Sequence, residues 1–587
     1  FTKSSSSIAL VAEWIGQQTG VSKIEVWVPD YFCDQSLHEL RLLPVKLSYF
    51  KLTELLEPDF GDLKRLTQKG TPSLVLVPHY FGIEQDLKRI RDFCASVGAF
   101  LIEDCAHVLL PTGEIGKSGD FVIYSPHKSL TIPDGALLLV SRKLQKRIDE
   151  DLADSFQRLL VTKSPGQDSA KATFKWMMRR YVRSMIPEYF KRVARDVNST
   201  PASTVATISW MSDMSRKLLT SSISKIEIFG WKRVDNAILM RQVKGFKSPF
   251  ESDTGIRNFP YMLPVMEECV KGKTGGFASY PTMKWPDLGT EVIDNHFYGL
   301  ANQRAKTVSL LPVHQDLSFN NVEFADSLPL IFMKEALDST EWQSNFKRMP
   351  KSHFLQSVSY GKTLEEERGW RPRFFYVYHD GKIVGVFQLV EKSFFGLVTV
   401  ARLNRGPIWE SETKEKVKAS VLVRLAELYK LSNRRLIFIA PNMELSELAI
   451  CSAYRGGLER RARRPWNSIW MDLKQTEDQL RSSLVGKWRN QLKGAEKKLT
   501  LEVLEDVEGL EWMLTKHDSV MKEKGFSGPT TKFIRTFIKN LSANGDKHVI
   551  FRAMLDSEIV AAVSVVGHGS SATYFLGWNG AIGRKQN

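Results

Sequence analysis

Residues 101–130 read LIEDCAHVLLPTGEIGKSGDFVIYSPHKSL, and the reading of the first half of the chain turns on them. One apolar run ends in two carboxylates, Glu103 and Asp104; a second, Phe121–Tyr124, ends in Ser125 and is followed by Lys128. A carboxylate at the end of a buried strand is costly unless a cation faces it. A positive group is therefore expected beside Asp104. Working outward, the β-rich runs KIEVWVP, SLVLVPH, AFLIEDC, DFVIYS and ALLLVS alternate up to about residue 145 with helical stretches such as LKRIRDFCASVG. That alternation marks βαβ units and a parallel sheet, whose ligands bind beyond the carboxyl ends of the strands. The polar strand ends Pro29-Asp30-Tyr31, His79-Tyr80, Glu103-Asp104 and Ser125 are expected to converge on one rim.

The 587 residues exceed what one core organises, and roughly three to five structural units are expected. The five cysteines, Cys33, Cys94, Cys105, Cys269 and Cys451, show no CxxC spacing, which argues against a disulfide framework or a cysteine zinc site and for a reducing, cytoplasmic setting. No apolar run reaches the length of a membrane span. The opening FTKSSSSIAL has neither an initiator Met nor the layout of a signal peptide, and reads as the start of a fragment. A net charge of +16 points to anionic partners such as nucleotide-linked substrates, CoA or RNA, or to a solvated basic surface.

Composition and punctuation divide the chain into residues 1–245, an α/β part with a helical extension, residues 246–326, a smaller α/β unit rich in Pro, Gly and Trp, and two further mixed units, 327–473 and 474–587. In the third, FFYVY and IVGVFQLV flank His379-Asp380-Gly381-Lys382, a hairpin turn signal. A similar hairpin around Asp556-Ser557 makes the last two units read as copies of one α/β unit. Residues 434–498 are rich in Lys and Arg, including the cluster Arg460-Arg461-Ala462-Arg463-Arg464. Such a stripe is either a phosphate-holding surface or a solvated face.

A strand-end aspartate followed by a lysine suits pyridoxal phosphate, whose ring nitrogen needs an anion and whose aldehyde needs an amine; an ordinary ion pair produces the same pattern. Residues 1 to about 325 resemble the DegT-type sugar aminotransferases, fold-type I pyridoxal phosphate enzymes with a large, mainly parallel-sheet domain and a small α/β domain. The resemblance lies in Glu103-Asp104-Cys105-Ala106-His107, in GDFVIYSPHK, in Ser5–Leu10 and in the later KWPDL and LLPVHQ. It implies Lys128 as the catalytic, cofactor-bearing lysine and Asp104 as partner of the ring nitrogen. His107 then lies at the phenolic oxygen, where the family usually has Gln, and Ser6, Ser7 and Ser125 lie at the phosphate. Tyr31 and Phe32 stand where an aromatic stacks on the ring, and no metal is implied. The sequence departs from the family in having Ile123 at the usual phosphate serine and serines in a glycine-rich turn. His79 is read as a cofactor-lining group or as a histidine satisfied by its neighbours. His127 is expected to point away from Lys128 on an extended segment.

Residues 330–587 resemble the Fem-like branch of the GNAT acyltransferases, through SHFLQSVSYGK, Gly369-Trp370, DGKIVGVFQL, LNRGPIW, Met471-Asp472-Leu473 and KWRNQLKGAEKKLTLEV. The resemblance implies tandem GNAT-like domains, the last truncated, that transfer an acyl group from acyl-CoA or aminoacyl-tRNA to an amine. Gln356 and Arg489 are noted without a role. Together the two resemblances imply a bifunctional cytoplasmic transferase in surface-polysaccharide or envelope synthesis. Its partners would be a sugar substrate and an amino donor, with a homodimer through the first half and tRNA as a partner if the donor is aminoacylated. The alternatives are an acyltransferase whose first half is an inactive scaffold, and a non-enzymatic basic platform.

Overall fold

The computed structural model describes residues 1–147, 151–163, 166–167, 178, 209–244, 246, 248–250, 259–271, 283–317, 328–444, 446–461 and 468–585. Its contacts divide the chain into two units: Phe1–Ala325 with Arg460–Arg464, and Asp326–Glu459 with Pro465–Asn587. Among the described residues no helix is long and apolar enough to cross a membrane.

In the first unit α1 (Ser4–Thr19) precedes a six-stranded sheet. Strands β1 (Ile24–Pro29), β2 (Val45–Phe50), β3 (Leu74–Pro78), β4 (Phe100–Cys105) and β5 (Phe121–Tyr124) run parallel in the order β2-β1-β3-β4-β5. Residues of β3 and β4 are buried without alternation, as expected of strands covered on both faces. The run ALLLVS, read as part of a parallel sheet, instead forms β6 (Leu137–Val140), an antiparallel edge strand beside β5. Only the one-turn helix α2 (Pro126–Ser129) lies between β5 and β6, and a parallel return needs a longer crossover. Because α2 is helical, the expected extended segment around His127 is corrected. The helical extension is described at Leu152–Lys163, Asp213–Ile223 and α3 (Ile226–Lys244); the readings of 168–177, 179–208 and 318–327 lie outside the described residues. Beyond α3, β7 (Met262–Met266) pairs antiparallel with β8 (Val308–Pro312) over a small core of Ala237, Met240, Leu263, Val265 and Val313.

In the second unit one topology occurs twice. Strand β9 (Phe332–Glu335), helices α4 (Ser339–Arg348) and α5 (Val358–Arg368), and the antiparallel strands β10 (Arg371–His379), β11 (Lys382–Phe394) and β12 (Val398–Gly406) come first. Helix α6 (Glu415–Leu428) and β13 (Arg435–Pro441), parallel to β12, complete that sheet. Then β14 (Thr500–Leu504), α7 (Val507–Lys524), α8 (Thr531–Ala543), β15 (His548–Leu555), β16 (Glu558–His568) and β17 (Ser571–Asn579) repeat the order. The likeness reaches single residues. Both hairpins turn on two residues at positive φ, Asp380-Gly381 and Asp556-Ser557, and both shift register just before the turn, at Val377/Tyr378 and Ala553/Met554. Positive φ at both central residues matches the strand twist of a two-residue hairpin.

Candidate active site

The site is assembled from the carboxyl ends of β4 and β5 and the amino end of α1. On β4 successive side chains alternate faces, so the adjacent carboxylates Glu103 and Asp104 part company. Glu103 accepts hydrogen bonds from His79 Nε2–H at 2.8 Å and from the backbone N–H groups of Gly116, Ser118 and Gly119, the last two at 3.0 and 2.9 Å. Burial pushes its carboxyl up, but these donors more than offset it and the net shift is down. The Nδ1 of His79 accepts the Gln85 N–H at 3.0 Å, leaving its proton on Nε2. His79 is thus a satisfied structural histidine. Its grouping with Glu103 and Cys105 has the makings of a metal cluster, yet both imidazole nitrogens and the carboxylate are engaged and burial holds the Cys105 thiol protonated.

Asp104 is buried and accepts one bond, from the Ala106 N–H at 2.9 Å. Burial raises its pKa, opposed by the field of Lys128. Burial in turn lowers that of Lys128, opposed by Asp104 and Cys33. The two groups feel each other without a direct ion pair among the described residues. Lys128 sits in α2, whose entry residue Ser125 lies one step past β5. Next to it, His127 Nδ1 bonds the Gly135 carbonyl at 2.7 Å.

His107 stacks on Tyr261, ring centroids 4.6 Å apart and 12° from parallel, and Trp285 stands edge-on at 4.9 Å. Its Nδ1 accepts the Phe81 N–H at 3.3 Å. Burial, reinforced by Lys128, holds the imidazole well below its ordinary pKa. It is a neutral ring with its proton on Nε2, a hydrogen-bond donor rather than a cation. Tyr31 donates its hydroxyl to the Trp285 carbonyl at 2.8 Å, and Phe32 is buried beside it in sequence.

The serines at the amino ends of α1 and α2 offer donors suited to a phosphate. Ser6 and Ser7 lie in the first turn of α1, whose entry residue Lys3 gives no side-chain cap, so its amides are free to meet an anion. Among the described residues the buried hydroxyls of Ser6, Ser7 and Ser125 have no hydrogen-bond partner, and orphaned buried hydroxyls call for one. Ser5 is engaged by Glu39 at 3.1 Å. A donor set for a phosphate, a desolvated lysine and a buried carboxylate fit pyridoxal phosphate.

Sequence reading missed the frame around the site. Trp285 contacts the rings of Tyr31, Tyr80, Phe81 and His107. Buried Arg233 on α3 donates to the Ser129 carbonyl at 2.7 Å, to the Tyr261 carbonyl at 3.0 Å and to Gln315 at 2.9 Å, and burial lowers its pKa to about 10. The only signal was KWPDL for Trp285; nothing in the sequence sets Arg233 apart from the other arginines. The basic cluster also departs from its reading. Arg460 forms a two-pronged ion pair with buried Asp235, while Ala462–Arg464 lie outside the described residues. Gln356 staples strands: its amide donates to the Gln388 and Asn404 carbonyls and accepts the Gln388 N–H. Arg489 caps the Ser482 and Leu484 carbonyls.

Residues 53–179 match the DegT/DnrJ/EryC1/StrS aminotransferase family. That match supports a transferase enzyme. The serine hydroxymethyltransferases of Cupriavidus taiwanensis and Cupriavidus necator are 30% identical over 105 residues, 17% of this chain and 25% of each relative; the chain thus spans about a quarter of their length. Among solved structures, the aminotransferase TlmJ from Streptoalloteichus hindustanus is 18% identical with a TM-score of 0.37, covering 55% of this chain and 81% of that one. The putative sugar aminotransferase Spr1654 from Streptococcus pneumoniae is 15% identical with a TM-score of 0.39, over 55% and 82%. FemX is 16% identical with a TM-score of 0.35, over 43% of this chain and 82% of that one.

Proposed function

We propose that the chain is a bifunctional enzyme whose first part is a pyridoxal phosphate-dependent aminotransferase acting on a nucleotide-linked keto-sugar. The observation that carries this reading is the set of buried hydroxyls without a partner among the described residues, Ser6 and Ser7 at the uncapped amino end of α1 and Ser125 at the entry to α2. With them go a desolvated Lys128 and a buried Asp104 that are near in field and not paired. The serines and the α1 amides hold the phosphate, Asp104 faces the ring nitrogen, His107 donates from Nε2 to the phenolic oxygen, and Tyr31 and Phe32 flank the ring. When bound, the cofactor supplies the electron sink on which an amino group passes from donor to acceptor. The chain's part is to keep water away, to hold Asp104 ionised against its burial through the cofactor's cation, and to move protons through Lys128. The depressed pKa of Lys128 suits that task, since a proton carrier works best near the operating pH.

The second part, on this reading, is a tandem GNAT-like acyltransferase of residues 327–473 and 474–587, following aminotransferase domains of 1–245 and 246–326. Its support is the repeated topology of the second unit, down to the shared hairpin bulge. The first part installs an amine on a sugar and the second acylates an amine, from acyl-CoA or aminoacyl-tRNA, in a cytoplasmic step of surface-polysaccharide or envelope synthesis, with a homodimer formed through the first part.

The test is a visible absorption spectrum with added pyridoxal phosphate, before and after borohydride, for the parent and Lys128→Ala. A band that reduction removes, with the cofactor's mass fixed on the Lys128 peptide and neither seen in the variant, is the expected result. No band, or label fixed on another lysine, refutes it and leaves the first part as a scaffold.

A further inference from the structure

The second unit carries a phenylalanine where a turn has no use for one. Strands β11 and β12 are joined through Phe395 and Gly396, both at positive φ (52° and 65°), closed by the Leu397 N–H on the Phe394 carbonyl at 3.0 Å. Two other hairpins of this unit fill the same conformation with residues that suit it, Asp380-Gly381 and Asp556-Ser557. Positive φ favours Gly, Asn and Asp and disfavours a bulky side chain. Phe395 gains nothing in return from its own fold: it is 95% exposed, with Leu397 at 61% and Phe394 at 41%.

A second apolar tip lies alongside. β12 and β13 run parallel with Thr399 opposite Arg435, and the Thr399 N–H bonds the Arg434 carbonyl at 3.0 Å. The turn before β13 therefore sits at the same end of the sheet as the Phe395 tip, and it presents Leu431, 72% exposed. The two tip segments themselves carry charge of one sign, while Glu391 and Glu427 lie one residue outside them, held by Tyr429 and Arg373 and by Arg424. Residues 392–402 and 428–438 contain Lys392, Arg402, Lys430, Arg434 and Arg435 and no Asp or Glu. Lys430, Arg434 and Arg435 are exposed, Lys392 donates to the Arg368 carbonyl and Arg402 lies over Trp370.

We propose that this end of the sheet docks on an anionic phospholipid surface, with Phe395, Leu397 and Leu431 inserted among the acyl chains and Lys430, Arg434 and Arg435 at the headgroups. Apolar tips ringed by cations are the combination that peripheral membrane binding needs: buried apolar area for depth and cations for the negative leaflet. Exposed apolar side chains spent at a strained position mark an intermolecular surface, and the basic rim selects the anionic bilayer over an apolar protein face.

The experiment is co-sedimentation of the full chain with vesicles of phosphatidylcholine containing phosphatidylglycerol, and with phosphatidylcholine alone, across salt concentrations. The variants are Phe395→Asn with Leu431→Ser, and Lys430→Glu with Arg434→Glu and Arg435→Glu. The parent is expected to bind the anionic vesicles and to be released by salt. The apolar variant should lower binding about tenfold while its melting temperature stays or rises, since Asn suits the turn. The charge variant should lower binding at least tenfold and flatten the salt dependence. Absence of binding, or equal binding to phosphatidylcholine alone, overturns the proposal. So does undiminished binding of the apolar variant together with competition by RNA, which assigns the rim to nucleic acid. A fall in sedimentation mass of the apolar variant without lipid overturns it in favour of a second copy of the chain.

Discussion

Neighbouring residues in one strand can differ in kind. Glu103 and Asp104 read alike in the sequence, yet one is saturated by four donors and the other keeps a single backbone bond. That Asp104 and Lys128 lie within each other's field was legible because it needs only two strand ends of a parallel sheet. The fate of Glu103 was not, because its donors come from His79 and from the loop at Gly116–Gly119, and no periodicity announces a loop. Two further buried groups make titration predictions of opposite sign. Burial pushes the Asp30 carboxyl up to about 7 against the pull of Arg304, so the folded state holds its proton between the ordinary 3.8 and 7. Its stabilising contribution is present at low pH and lost as pH rises through 7. Asp30→Asn should remove that dependence, and the stability difference between parent and variant should change by about 2.5 kcal/mol between pH 5 and pH 8 in urea denaturation; a constant difference refutes the assignment. His568, buried with its Nε2 at 2.7 Å from the Thr573 hydroxyl, is held down to about 3 by burial and by His353. Here the unfolded chain binds the proton first, so stability is lost as pH falls below the ordinary 6.5, by about 2 kcal/mol from pH 7.5 to pH 5. His568→Asn should flatten that slope.

At the scale of elements, turns were more legible than supports. The turn at Asp380-Gly381 is written in two adjacent residues, and a local signal survives translation into structure. The antiparallel setting of β6 depends on the length of its connection, which composition does not reveal. The support of α2 was illegible for another reason: Arg233 reaches the Ser129 carbonyl from 104 residues away, and Gln315 from 186. Arg233 is buried and its guanidinium donates to carbonyl oxygens, three of the main chain and one of Gln315. Arg233→Lys keeps the charge but loses the planar fork that reaches them together. Loss of these bonds is expected to cost about 2–4 kcal/mol. Hydrogen exchange in the peptide Pro126–Ile132 should quicken more than in β3, and pyridoxal phosphate should bind about tenfold more weakly. Uniform quickening throughout the first unit instead identifies Arg233 as a general packing residue.

At the scale of the molecule, the first unit is not a simple stretch of sequence. It takes in Arg460–Arg464 from far along the chain, and the reason is visible in one ion pair, Arg460 with Asp235 across 225 residues. Asp235 is almost wholly buried and Arg460 nearly so, and the guanidinium also lies over Trp231. Charge counting over Arg434–Lys498 could see that arginines cluster there but could not see that one is spent on a buried carboxylate. The pair makes the consequence of truncation calculable in sign. A fragment of residues 1–325 keeps Asp235 and loses Arg460, and removing one member of a buried ion pair costs about 3–5 kcal/mol. Within that fragment Asp235→Asn should restore stability, because a neutral amide is cheaper to bury than a carboxylate that has lost the Arg460 guanidinium. In the full chain the same substitution should destabilise, because it breaks the two-pronged ion pair with Arg460. Denaturant midpoints of the four proteins decide the matter: the substitution raises the midpoint of the fragment and lowers that of the full chain. A change of the same sign in both would show that Asp235 is tolerated without Arg460 and that residues 460–464 are held to the first unit by other contacts.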